Sequence, residues 1–275
     1  MKVVKLLNQN AVIVDDEGEE KVAIGKGIGF NKKMNDLIFP REIERLFTME
    51  SEGQKKLQSL LSQIDEKFLF ATEKIIEKAE ITWDEKLDNH LFIALTDHIS
   101  FAAENAQKGF SVHNRLLPEI EILFRQEFEI AKWAIQFLKN KLGINLGVDE
   151  AGYIAIHLNG AREKSNSKRQ SMQEATVISD IIHLIGEETG IQIHAEEMLL
   201  NYSRLVNHLR QLLQRYNSSQ SYTLLDPEMI EMIKNKYIKS YQVAESARQL
   251  LLNKYSIAID TQEIGYLALH IERLV

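Results

Sequence analysis

A long internal repeat constrains this chain more than any other feature. Glu150-Ala151-Gly152-Tyr153-Ile154-Ala155-Ile156-His157-Leu158 recurs 113 residues later as Glu263-Ile264-Gly265-Tyr266-Leu267-Ala268-Leu269-His270-Ile271, with five of nine positions identical. Upstream, Leu95-Thr96-Asp97-His98-Ile99 is matched 110 residues on by Leu205-Val206-Asn207-His208-Leu209. Offsets that agree within three residues predict one helical domain of about 110 residues, present twice, each copy bearing two histidines at matching places.

The surrounding pattern is helical. Leu91, Leu95, His98 and Ala102, with Phe92 and Ile99 alongside, follow an amphipathic stripe. Pro118 opens a run through Ile122, Phe124, Phe128, Ile130, Trp133, Phe137 and Leu142 that stops at Gly143, predicting one helix of about 25 residues. The polar stretch Arg162 to Gln170 reads as a surface linker between the copies.

Ahead of the repeats the periodicity changes. Val3–Leu7, Ala11–Val14 and Lys21–Ile24 are β-branched runs, and Asp15-Asp16-Glu17-Gly18-Glu19 supplies a hairpin turn between the last two. These predict a small antiparallel sheet. Gly25-Lys26-Gly27-Ile28-Gly29-Phe30 has glycine at every second position, which in a strand would let another backbone or a ligand come close. Thr48 to Gly53 reads as the linker to the helices. So short a sheet is marginal alone, so it leans on the rest of the chain or pairs with a copy of itself, and a dimer is expected.

Composition narrows the class. The 275 residues, 44% hydrophobic and 27% charged, can bury a real core and are neither disordered nor fibrous. Zero cysteines exclude disulfides and thiolate chemistry and fit a reducing cytosol. A signal peptide and a membrane span are not expected, so the protein is read as soluble and cytoplasmic. The net charge of −7 argues against coating nucleic acid by bulk charge, yet residues 1 to 35 carry six lysines against five acids, all between Asp15 and Glu20. Any contact with RNA or DNA would be local, and the basic pair Lys32-Lys33 reads equally as a phosphate contact or as a solvated charge pair.

A lone histidine on an apolar helical face is ordinarily a packed core residue. Two matched pairs argue for more, whereas His90, His113, His183 and His194 have no counterpart in the other copy. No His-x-x-x-His spacing suggests a metal. Imidazole can accept a phosphoryl group, which adds about −2 charge where helices or subunits meet.

In this order KVVKLLNQNAVIV, GKGIGF with KK, DHISFA, EAGYIAIHLNGA, LVNHL and IGYLALHIERL resemble the bacterial transcriptional antiterminators of the BglG/SacY/LicT type, over the full length. The resemblance implies a co-antiterminator RNA-binding domain at 1–54, a dimerising four-stranded antiparallel sheet, and two all-α domains at 65–169 and 170–275 that respond to the sugar phosphotransferase system. It implies a non-enzyme without cofactor, metal or catalytic residues. The function implied is to grip an mRNA leader hairpin and thereby exclude an overlapping terminator hairpin. Lys5, Asn8, Asn10, Gly25, Lys26, Gly27 and Phe30 would contact RNA. His98, His157, His208 and His270 would accept phosphoryl groups, from a sugar-specific enzyme II at the first pair and from the phosphocarrier HPr at the second. Arg115, Arg162, Arg204 and Arg210 are candidate partners for the added charge.

Such chemistry suits these residues: amides read base edges and 2′-hydroxyls, lysine neutralises phosphate, and an exposed ring stacks on an unpaired base. A related DNA-binding activator would need an N-terminal helix-turn-helix where this chain reads as strand and turn. A helical metal phosphohydrolase would need converging His and Asp ligands.

Overall fold

The computed structural model describes residues 1–48, 64–162, 168–193, 195–218 and 226–275. Among these are four strands and ten α-helices. The strands are β1 (Lys2–Asn8), β2 (Ala11–Asp16), β3 (Glu19–Ile24) and β4 (Arg45–Thr48), joined in that order as an antiparallel sheet. β2 and β3 meet through Glu17 and Gly18, both at positive φ, which is the two-residue turn whose twist suits a hairpin. Alternation puts Val3, Val12, Val14 and Ala23 on one face, where Ile28 and Ile38 close a small core. On the other face the Phe47 ring meets Phe92, the centroids 6.0 Å apart.

The first repeat holds α1 (Glu66–Trp83), α2 (His90–Gln107), α3 (Leu117–Leu123), α4 (Arg125–Leu142) and α5 (Val148–Arg162). The second holds their counterparts α6 (Lys168–Thr189), α7 (Leu199–Ser218), α8 (Pro227–Lys236), α9 (Ile238–Tyr255) and α10 (Thr261–Glu272). Start signals are local: the carboxylates of Asp65, Asp226 and Asp260 accept from backbone amides at the mouths of α1, α8 and α10. α2 packs on α1 and α5, and α7 packs on α6 and α10, so the histidine-bearing helices meet in pairs. Leu91, Phe92, Leu95, Ile99 and Ala102 are buried along α2, as the stripe predicts.

The chain forms two compact units, Met1–His113 with Glu129–Lys164, and Asn114–Phe128 with Ser165–Val275. Residues 114–128 therefore pack with the second repeat although they follow α2 in the chain.

Three expectations are corrected. Residues 25–30 are turns, not a strand, because Ile28 and Phe30 amides bond back to the Gly25 and Gly27 carbonyls. The single helix expected over 118–142 is two, parted at Phe124, whose φ of −122° and ψ of 46° leave the helical well. Tyr237 makes the same break between α8 and α9, at φ −116° and ψ 54°. The linker expected to run to Gln170 yields at Lys168, where α6 already starts. The expected linker residues 49–53 and 163–167 lie outside the described residues, as does His194.

Candidate functional site

The four matched histidines fall into two like constellations. In the first repeat His98 of α2 meets His157 of α5, ring centroids 5.2 Å apart, with the Tyr153 ring 5.8 Å from His98. Glu150, one helical turn before Tyr153, brings Oε2 to 3.1 Å from His98 Nε2, at ion-pair distance but off hydrogen-bond alignment. In the second repeat His208 of α7 and His270 of α10 stack at 4.6 Å, with Tyr266 6.3 Å from His208 and Glu263 Oε2 3.8 Å from His208 Nε2. The spacing explains the convergence, since Glu150, Tyr153 and His157 at i, i+3 and i+7 share one helix face, and so do Glu263, Tyr266 and His270. Glu150 and Glu263 open the repeated nonapeptide, and their shared position was the signal that could have marked them as site residues.

The second site is dry and cationic at its rim. Burial, the neighbouring His270 and the Arg215 charge push the His208 imidazole down to about 3, so it is neutral at pH 7 with a free lone pair on the ring. Burial, helped by Arg273 and Arg204, also lowers His270. Arg215 donates to both oxygens of Glu263, at 2.9 and 3.1 Å, while burial holds that carboxyl above its usual range. The counterpart of Arg215 in the first repeat is Asn105, so the two sites differ in charge.

The expected arginines divide. Arg204 acts on His270. Arg210 instead donates to the Leu123 carbonyl and faces Glu174, Arg162 lies over the Trp83 ring near Glu85, and Arg115 is exposed ahead of α3. Arg215 was not anticipated.

Six of the seven residues read as RNA contacts gather around the β1–β2 turn and the 25–30 loop, while Lys5 lies mid-strand on β1 opposite Ile13. Asn8 Oδ1 accepts from the Asn10 amide at 2.8 Å, and Asn10 Oδ1 accepts from Gly27 N–H at 2.6 Å, knitting the β1–β2 turn to the 25–30 loop. Gly25 and Gly29 N–H groups donate to the Asn10 and Gln9 carbonyls. A Cβ on Gly25 would overlap the Glu42 carbonyl, and one on Gly29 the Asn8 carbonyl, so these glycines admit another stretch of backbone. Lys5, Lys26, Gly27 and Phe30 are exposed, Phe30 by 61%, whereas Asn8 and Asn10 are half-buried and Gly25 is buried. Asn10, Gly25 and Lys26 also line a cavity of about 140 Å³ closed by Phe70, Glu73 and Lys74 of α1. Glu66 of α1 accepts from the Gln9 amide at 3.1 Å.

Among the described residues no group of three or more His, Asp or Glu is arranged to hold a metal ion, and no helix is long and apolar enough to cross a membrane.

Comparison with known proteins agrees with this anatomy. Residues 1–56 match the CAT RNA binding domain family, and residues 73–161 and 179–274 each match the PRD domain family. The chain is 32% identical to the transcription antiterminator LicT of Bacillus subtilis, covering 100% of this chain and 99% of that protein. It is 31% identical to the beta-glucoside operon antiterminator of Dickeya chrysanthemi, covering 100% and 96%. The crystal structure of GlcT CAT-PRDI superposes with a TM-score of 0.55 at 36% identity, over 59% of this chain and 98% of that one. The first two of these relatives are named as antiterminators and not as enzymes. The chain belongs to the family of transcription antiterminators built from a CAT RNA-binding domain and two PRD domains.

Proposed function

We propose that this protein is a sugar-responsive antiterminator that binds an mRNA leader hairpin as a homodimer and is controlled by phosphorylation of its paired histidines. Residues 1–54 bind RNA, and 65–169 and 170–275 are the two regulatory domains. The observation that carries the reading is the duplicated constellation: two histidines in ring contact, a glutamate and a tyrosine, built twice at the same helix junction.

The second site suits a phosphoryl acceptor. A neutral imidazole nitrogen attacks the phosphorus of a donor phosphohistidine; the new P–N bond forms as the donor's breaks, the donor nitrogen keeps the electron pair and takes up a proton, and the acceptor ring gives up the proton of its other nitrogen to solvent. The added charge of about −2 then sits beside Glu263, which repels it, and beside Arg204 and Arg273, which attract it. The site therefore cannot keep its unmodified arrangement. In this reading a sugar-specific enzyme II phosphorylates His98 or His157 when sugar is absent and disfavours the RNA-competent dimer, and HPr phosphorylates His208 or His270 and favours it.

RNA recognition rests on Lys26 and Phe30, exposed on a loop whose backbone is fixed by Asn8 and Asn10, and on Lys5, exposed on β1. The Asn8 and Asn10 carbonyl oxygens serve the fold, and the Asn10 NH₂ group is placed to meet an acceptor on RNA. The reading is tested by titrating the full chain against RNA transcribed from the leader upstream of its target operon. Affinity that falls with rising salt and is lost in the Lys26→Ala, Phe30→Ala double variant supports it, and equal binding to an unrelated hairpin counts against it.

A further inference from the structure

Aligning His98 with His208 places Phe92 on Tyr202, each six residues before its histidine on the same helix. Both are buried, and both receive a segment from earlier in the chain. In the first unit that segment is β4: Phe47 meets the Phe92 ring, the Arg45 guanidinium lies 5.8 Å from its centroid, and Arg45 Nε donates to Glu73 at 2.6 Å. In the second unit it is α3: the Tyr202 hydroxyl donates to Glu119 at 3.1 Å, and Arg210 donates to the Leu123 carbonyl at 2.9 Å with its guanidinium over the Phe124 ring.

The two seats share a backbone position and invert the chemistry. The first repeat offers a carboxylate to an incoming arginine. The second offers a phenol and an arginine to an incoming carboxylate and to the carbonyl end of a helix, where a cation is favoured. Shared core packing alone would not produce this pairing of opposite signs. The hydroxyl that distinguishes Tyr202 from Phe92 is the group that meets Glu119.

We infer that this position is a docking socket through which each repeat acts on the module that precedes it. The inference rests on the phosphohistidine reading above. Socket and histidine lie about 9 Å apart along one rigid helix, so a shift that relieves charge at the histidine pair moves the socket with it. For the first repeat the occupant is the edge strand of the RNA-binding sheet. For the second it is α3, which leads through the break at Phe124 into α4, whose residues from Glu129 onward belong to the first unit. The relay therefore has two separate limbs, from the second repeat to α3 and from the first repeat to the sheet.

The test uses the full chain and phosphoramidate, a small phosphoryl donor that needs no carrier protein. Two variants are compared, one keeping only the first pair (His208→Ala, His270→Ala) and one keeping only the second (His98→Ala, His157→Ala). Phosphorylation of the first pair should change amide exchange at 45–48 by about tenfold and leave 117–123 within about twofold, and phosphorylation of the second pair should do the reverse. Phe92→Leu should abolish the first response and Tyr202→Phe the second, with both variants still folded by thermal melting. Phosphoryl uptake followed by equal change in both segments, by no change, or by a response that survives these substitutions overturns the socket alone. Failure of all four histidines to take up phosphoryl groups overturns the phosphohistidine reading and the relay with it.

Discussion

His208 and His270 stack with 22° between their ring planes, on two helices that the chain brings together from 62 residues apart. Two imidazoles this close and this dry do not both take a positive charge, and burial is the larger cause of their low basicity. That fixes a pH response. The imidazole of His208 titrates near 6.5 when unfolded and near 3 when folded, so the unfolded chain binds the extra proton between those values. Stability is fully present above pH 6.5 and is lost as pH falls toward 3. Between pH 7 and pH 5 the loss from this group should be about 2 kcal/mol, and His208→Gln should flatten that slope in denaturant titrations. A slope that persists in the variant would assign it to other groups.

Arg215 holds Glu263 in a nearly dry place, the glutamate side chain being 7% exposed. Removing the cation strands a buried carboxylate. Arg215→Gln should cost about 3 kcal/mol at pH 7 and less at pH 5, because Glu263, already raised by burial, takes up a proton there. Adding Glu263→Gln should recover most of the loss at pH 7, which thermal melts of the single and double variants would show.

Glycines in different parts of the chain differ sharply in what they tolerate. Gly25→Ala forces Cβ into the Glu42 carbonyl and should destabilise the N-terminal sheet by more than about 2 kcal/mol. Gly147→Ala, with nothing within 4 Å of the new carbon, should stay within about 0.5 kcal/mol of the parent. Chemical denaturation of both distinguishes close backbone approach from a general preference for flexible loops.

The exposed ring of Phe30 contributes little to the fold and much to RNA binding on this account. Phe30→Ala should leave the melting temperature unchanged and weaken binding to the leader hairpin by about 1–3 kcal/mol. Lys26→Ala should lower the slope of log affinity against log salt by about 1. A melting temperature that falls with Phe30→Ala would make the ring part of the core.

The repeat made the two-copy helical architecture legible, because five-residue identity across nine positions survives where general propensity does not. The strands were legible too, since Ala11–Val14 and Val22–Ile24 are short apolar, β-rich runs on either side of a polar turn, and both are buried throughout. Three features left no local mark. The breaks at Phe124 and Tyr237 carry neither glycine nor proline, and they came into view as equivalent only when tertiary packing had set both helices. Arg215 belongs to no repeated motif, and its partner Glu263 sits 48 residues away. Likewise the turn geometry at 25–30 depends on Asn10 reaching across to Gly27, a contact that spacing within the loop does not announce.

Control of readthrough by the histidine pairs is the central claim, and a reporter placed behind the leader and terminator tests it most directly. With His98 and His157 both replaced by alanine, expression without inducer should rise toward the level that the parent protein gives with inducer. Readthrough that stays as low as in the parent would contradict the account.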